Sequence, residues 1–384
     1  MMFLWRQTLL AMAALLTCGI AQAKGAGKVW QGTLGPNDIV VEIDTPAKGS
    51  ADLDGRYFYR RHRMDIRLEG NAGIGGSIVL KEGFGGDDAA QASWRMQAPA
   101  HDRWEGEWIG PKGRRLPIRL HGLAAATATT VREPSLATLR GQLGDYAWLR
   151  LSELELQRGK TQQINGVTLQ WLHQPDSSID LFEVTSGYSA AQLQRINATL
   201  RKRLWSWVDS YYDCMSGARD GLGEFETTTT LRHVSPKIIS ASLSSNFYCG
   251  GAHPDFGDSP LNIDPRDGRE LDLDDVLWLG PGKPLHAGKG DDWNAAWAEY
   301  RGKRFAPWVV ARFKSLYPAE FKKGDDECSY DDPGVWDFAQ WYATPKGIHL
   351  SAYFARVARA CDDPDWAILP WKLVDAYPGA VRIH

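Results

Sequence analysis

The sequence predicts an α+β protein: an antiparallel β meander, barrel or sandwich, followed by an α+β domain with a long amphipathic helix packed on an antiparallel sheet. Three observations carry this expectation. Short segments of alternating apolar residues recur between glycine-rich turns from 28 to 122. After Ser189 the apolar spacing changes to the three-and-four rhythm of a helix. Near the C-terminus, residues 336–342 and 348–354 flank Thr344-Pro345-Lys346-Gly347, a hairpin turn with Pro and Gly correctly placed.

At 384 residues the chain is long enough for two domains of ordinary size. It is 43% apolar and 24% charged, a globular composition. A net charge of −3 argues against nucleic acid as the main partner, which requires a basic face. Seventeen tryptophans mainly fill cores and strand faces; the remainder suit a carbohydrate- or partner-binding surface.

Residues 1–23 read as a signal peptide. Arg6 supplies the positive start, residues 9–16 an apolar run too short to span a bilayer, and Ala21-Gln22-Ala23 a cleavage site. Cleavage near Ala23 would make the mature protein periplasmic or secreted, without a transmembrane segment. Cys18 offers a lipoprotein alternative, but Thr17 before it and the cleavage site just after it favour export without lipid. Four cysteines then remain: Cys214, Cys249, Cys328 and Cys361. An even count in an exported chain predicts disulfides. The pairing 214–249 and 328–361 closes the shorter loops, each bridge contributing about 3–4 kcal/mol. No C-x-x-C pair supports zinc, and neither a metal nor a cofactor is expected.

The first domain spans 28–122. Trp30 and Gly32 open it; Ile39, Val41 and Ile43 share a strand face; residues 56–60 follow the Asp54-Gly55 turn. Ile66 and Leu68, then Ile78 and Leu80, alternate in turn. Trp104, Gly106 and Trp108 share a face before the Gly110-Pro111-Lys112-Gly113 turn, and Leu116, Ile118 and Leu120 close the meander. The order W-x-G-x-L, G-x-Y-x-Y, W-x-G-x-W resembles small β-barrel or sandwich modules of bacterial envelope proteins. Residues 123–144, small and polar with Pro134, read as a linker.

The second domain spans 145–384. Residues 166–171 and 179–184 read as a strand pair. Ser189 caps a helix whose apolar face carries Leu193, Ile196, Leu200, Leu204, Trp207, Val208 and Tyr211. Arg195, Arg201, Lys202 and Arg203 line its other side, as a solvated face or an acidic-partner patch. A threonine-rich strand runs over 224–234, and residues 238–249 lead into Gly250-Gly251-Ala252-His253-Pro254. Asp267-Gly268 signals a tight turn, and Asp272, Asp274 and Asp275 place negative charge at a helix start. A calcium loop needs a different order and a terminal Glu. Asp291-Asp292 caps a helix with Trp293, Trp297 and Tyr300, and Pro307 starts another.

Gly250-Gly251-Ala252-His253, Asn262-x-Asp264, Gly268 and Leu271-x-Leu273-x-Asp275 follow one family's G-G-A-H…N-x-D…G…L-x-L-x-D order. So do Phe338-x-x-Trp341-Tyr342, Lys346-Gly347-Ile348 and Leu369-Pro370-Trp371. Over about 165–375 the chain resembles the bacterial extracytoplasmic family of unknown function found in the ectodomain of a lysozyme-sensing anti-sigma factor, with related modules beside some peptidoglycan deacetylase domains. No cytoplasmic anti-sigma segment, transmembrane helix or deacetylase domain is recognised, and the cysteines and β-domain are additions. The resemblance implies an α+β fold and envelope context, and lysozyme binding by analogy.

Chemistry is sparse. The sequence has no G-x-S-x-G elbow, H-E-x-x-H or Walker loop. His253 and Asp255 are the one suggestive catalytic pair. The expected binding surface is Tyr248, Gly250, Gly251, His253, Pro254 and Asp255. The leading expectation is a non-enzymatic binding module of the envelope, its partner a muramidase-like protein or a peptidoglycan fragment. The alternatives are an envelope-polymer hydrolase using His253 and Asp255, and a structural or assembly factor.

Overall fold

The computed structural model describes residues 27–44, 50–73, 76–83, 91–123, 131–218, 222–288, 293–322 and 328–384. The expected signal peptide with Cys18, the expected cleavage site near Ala23, residues 124–130 of the expected linker and the Asp291-Asp292 pair lie outside the described residues.

Eight antiparallel strands close into a barrel: β1 (Lys28–Leu34), β2 (Asn37–Ile43), β3 (Asp52–Tyr59), β4 (Asp65–Ala72), β5 (Ile78–Glu82), β6 (Ser93–Met96), β7 (Arg103–Ile109) and β8 (Arg115–Gly122). Closure comes from β1 pairing with β8, Leu34 opposite Ile118. The alternating residues point inward as expected: Trp30, Val41, Tyr57, Leu68, Leu80, Trp104 and Leu120 fill the interior. β6 goes beyond the strands expected from sequence, and its Trp94 and Met96 are also buried there. Trp108 lies across Gly110, where an added Cβ would come within 2.1 Å of the indole. That is the space a glycine beside a tryptophan provides.

Within the expected linker, residues 131–144 carry two short helices, α1 (Pro134–Ala137) and α2 (Arg140–Leu143), with Leu136 and Leu139 buried. A third, α3 (Asp145–Leu151), lays Tyr146, Trp148 and Leu149 against Val40 and Phe58 on the barrel's outer wall. The rings of Phe58 and Tyr146 meet edge-on at 5.0 Å. The barrel and the rest of the chain thus share a packed interface.

Next come β9 (Gln157–Ile164), β10 (Val167–Gln174) and β11 (Ile179–Ser186), ordered β11-β10-β9, with β9 an addition to the expected pair. The long helix α4 (Ala190–Gly217) starts at a capping box: the Ser189 hydroxyl accepts from the Gln192 backbone while Gln192 reaches back. Ile196, Leu200, Leu204 and Val208 recur every fourth position on its buried stripe. The basic side is tied inward: Arg201 pairs with Glu183 at 2.6 Å, Arg195 donates to the Arg266 carbonyl, and Arg203 pairs with Glu270.

The second sheet holds β12 (Glu224–Ser235), β13 (Ile238–Tyr248) and β14 (Asp255–Ile263); the third holds β15 (Gln340–Thr344), β16 (Gly347–Ser351) and β17 (Ile368–Pro370). They join through buried polar bonds. Ser240 Oγ donates to Asn262 Oδ1 at 2.6 Å, the Asn262 amide donates to the Trp341 carbonyl at 2.8 Å, and the Ala343 N–H donates to Ser240. The acidic stretch does cap a helix, α5 (Leu273–Val276), with Asp272 as N-cap. The next helix, α6 (Ala295–Tyr300), is capped by Asn294, not by the expected Asp291-Asp292. A single π turn at Arg301–Phe305 leads into α7 (Ala306–Leu316), and α8 (Trp371–Ala376) follows β17. Both disulfides form as expected, Cys214–Cys249 and Cys328–Cys361.

Candidate functional site

The loop between β13 and β14 gathers the residues singled out from sequence. Its root is fixed on both sides. On one side Cys249 bonds Cys214 at the end of α4, with Cα atoms 4.6 Å apart. Gly250 has φ +84°, and an added Cβ would sit 2.3 Å from the Gly217 carbonyl oxygen. Only glycine allows that backbone to pass so close to the helix end. On the other side Asp255 pairs with Arg359 at 2.6 Å, Arg356 donates to the Pro254 carbonyl at 2.7 Å, and Arg359 donates to the Phe256 carbonyl. Those arginines sit on a 3-10 turn, Arg356–Cys361, which the Cys328 bridge anchors.

Between these clamps the tip is open. Gly250, Gly251, Ala252, His253 and Pro254 are exposed, Tyr248 is half-buried, and nothing lies within 4 Å of where a Gly251 Cβ would stand. His253 and Asp255 do not form a dyad. Asp255 Oδ1 accepts from Arg359 and from its own neighbour's N–H at Phe256. No hydrogen bond joins it to His253 among the described residues. A general base needs an orienting partner within hydrogen-bond reach, and this carboxylate is taken up by guanidinium groups.

The sheet beside the loop adds residues that sequence reasoning missed. Glu226 on β12 stands opposite Asn246 on β13, which stands opposite Phe256 on β14. Glu224 stands opposite Tyr248. Directly opposed residues share a sheet face, so these side chains form one surface. A groove of about 290 Å³ opens there, lined by Glu224, Glu226, Asn246, Pro254 and Phe256 among others. Phe256 in its lining is 42% exposed, and Tyr353 and Val357, on the chain segment that leads to Arg359, are exposed at 50% and 92%. The Arg359 guanidinium lies 4.6 Å from the Phe256 ring centre and 5.3 Å from that of Tyr353. The strand-alternating Glu224-x-Glu226 was the available signal, but only cross-strand pairing brings it to the loop.

Farther along the same face, the site turns inward. Arg232 donates to Ser242 at 2.7 Å and lies over Tyr342, while Ser244 donates to Asp258 at 2.7 Å. Burial raises the Asp258 carboxyl above its ordinary range. His349 stacks flat on Tyr342, ring centres 4.4 Å apart, and burial lowers its pKa despite Asp363 nearby. Its Nε2 is held by the Pro364 carbonyl at 2.9 Å, and the Ser351 hydroxyl donates to Asp363 rather than to the imidazole. Serine, histidine and aspartate meet here, but not in the nucleophile–base–carboxylate sequence of a hydrolase.

A third cluster could in principle ligate a cation: Asp272, Asp275 and His286 offer atoms within 4.8 Å of one another. Arg269 already donates to Asp275 at 3.0 Å, and the Asp272 N–H donates to the same oxygen as part of the helix cap. Arg269 and His286 thus each hold one oxygen of Asp275.

No known family model matches the chain, and no curated protein matches it. A solved structure of a DUF3298 family protein from Pseudomonas aeruginosa PAO1 is similar at 18% identity, covering 59% of this chain and 96% of that one, with a TM-score of 0.28. Among the described residues, no helix is long and apolar enough to cross a membrane.

Proposed function

We propose that the protein is a non-enzymatic, exported component of the bacterial cell envelope that docks a partner on the 250–254 loop. The partner is a muramidase-like protein or a peptidoglycan-derived fragment. One observation carries the reading: an exposed tip on an immobilised root. A disulfide, a glycine passing against the helix end and two arginines hold the ends of the loop, while His253 and its neighbours face solvent. Such a loop loses little conformational entropy on binding, so contacts at its tip translate into affinity. Engagement of Asp255 by arginine supports contact over catalysis.

Export is part of the proposal. The charged start, short apolar run and A-x-A site support it, as does the presence of two disulfides, which persist in oxidising compartments. The G-G-A-H…N-x-D order supports the muramidase-like partner over an unrelated one.

Calorimetry of the full chain with lysozyme and with purified muropeptides tests the proposal. Binding by one of them is expected, weakened roughly tenfold or more by His253→Ala, with an unchanged melting temperature because the side chain is exposed. Absence of binding by both ligands overturns the reading. So does a His253→Ala variant that binds as the parent does.

A further inference from the structure

The groove beside the loop carries two exposed acidic side chains. Glu224 and Glu226 are exposed, lie two residues apart on β12, and so project to the same face about 7 Å apart. Among the described residues no cation pairs with either one. The described guanidinium groups beside the loop, Arg356 and Arg359, are committed elsewhere. Arg359 bonds Asp255, Asp362 and the Phe256 carbonyl, and Arg356 bonds the Pro254 carbonyl and faces Asp255. Farther in, Asp258 accepts from Ser244 and feels both Arg232 and Asp363. Among the described residues the groove thus presents two carboxylates with no cation paired to them, next to an exposed aromatic ring that already faces the Arg359 guanidinium at 4.6 Å.

We infer that this groove binds a cationic segment of a partner protein, with a lysine or arginine side chain seated between Glu224 and Glu226. The inference rests on the docking reading above and narrows it from a peptidoglycan fragment to a basic protein surface. Charge complementarity decides between them. A guanidinium between two carboxylates forms charge-assisted hydrogen bonds and relieves their mutual repulsion. A muropeptide carrying free carboxylates would meet like charge here, and a neutral sugar would leave both glutamates unpaired.

The test is calorimetry of the full chain with a tetra-arginine peptide at low and high salt. Binding is expected to weaken roughly tenfold in Glu224→Gln/Glu226→Gln and to fall with salt. The control Glu105→Gln/Glu320→Gln, exposed and away from the groove, is expected to bind as the parent does. Equal affinity in parent and groove variant overturns the inference, as does no binding, or preference for a tetra-glutamate peptide or a neutral chitin tetrasaccharide. His253→Ala separates this claim from the one it rests on. The variant is expected to bind lysozyme roughly tenfold or more weakly but tetra-arginine as the parent does, so a failed peptide experiment leaves the loop reading standing.

Discussion

Glu82, at the end of β5, accepts three hydrogen bonds on one carboxylate oxygen: from the Tyr57 hydroxyl at 2.7 Å, and from the indoles of Trp94 and Trp108 at 2.8 Å each. Tyr57 and Trp94 are fully buried, so their donors have no water to turn to. Burial and the nearby carboxylate push the Tyr57 hydroxyl far above its ordinary range, which keeps it a donor. Each buried donor left without an acceptor costs about 1–3 kcal/mol. Glu82→Ala is therefore expected to lose at least about 3 kcal/mol of stability, while Glu82→Gln, which keeps an acceptor oxygen, loses about 1 kcal/mol. Urea unfolding of both variants reads the difference; equal losses would show that packing, not acceptor loss, sets the cost. Such a hub is invisible in sequence, because its three donors come from three other strands. The same holds for Glu224 and Glu226, which look like ordinary charges at a strand start until Asn246 and Phe256 are laid beside them.

The helix α4 and the β13–β14 loop form one mechanical element, because Cys214–Cys249 ties the end of one to the start of the other. Replacing both cysteines by serine reopens a 35-residue separation, costing about 3–4 kcal/mol in the chain-entropy picture. The local consequence is more specific. Amide exchange at residues 250–256 is expected to accelerate beyond the global change, while amides of β15 and β16, held by the other half of the molecule, follow the global change alone. Uniform acceleration would mean that the arginine clamp fixes the loop by itself. At this scale much was legible beforehand. The α4 stripe, its Ser189 cap, the β15–β16 hairpin and both cysteine pairings follow from spacing, capping and loop length. What escaped has physical reasons. β6 is four residues long, so its two inward residues give too short an alternation. β9 is nearly all exposed and polar, and is held by its partner strand's hydrogen bonds. The helices α1 and α2 are single turns whose burial of Leu136 and Leu139 depends on surfaces elsewhere in the chain.

Across the whole molecule, the barrel is joined to the α+β body by a buried ionic clamp. Arg150, whose side chain is fully buried, reaches Asp65 of the barrel through two bonds of 2.8 and 2.7 Å, Asp213 of α4 at 2.7 Å and Asp209 at 3.4 Å. Arg56 of β3 adds bonds to Glu42, Asp65 and Asp213, and the Tyr146 hydroxyl donates to Asp65. Four carboxylates thus share two guanidinium groups, and the surroundings of one, Asp209, favour its protonated form. Burial is the main cause, opposed by Arg150 and reinforced by Asp213, and it raises the Asp209 pKa from 3.8 to about 7. Because the folded pKa lies above the unfolded one, the folded state binds more protons between about pH 4 and pH 7. The associated stability is full below that window and is lost as pH rises through it, on the order of a few kcal/mol. Asp209→Asn removes the titration while keeping the shape. Unfolding free energy measured from pH 4 to pH 8 is therefore expected to fall with pH more steeply in the parent than in the variant, and the two curves should run parallel above pH 8. Parallel curves through the window would show that Asp209 is ionised in the clamp and that the arginines satisfy all four carboxylates.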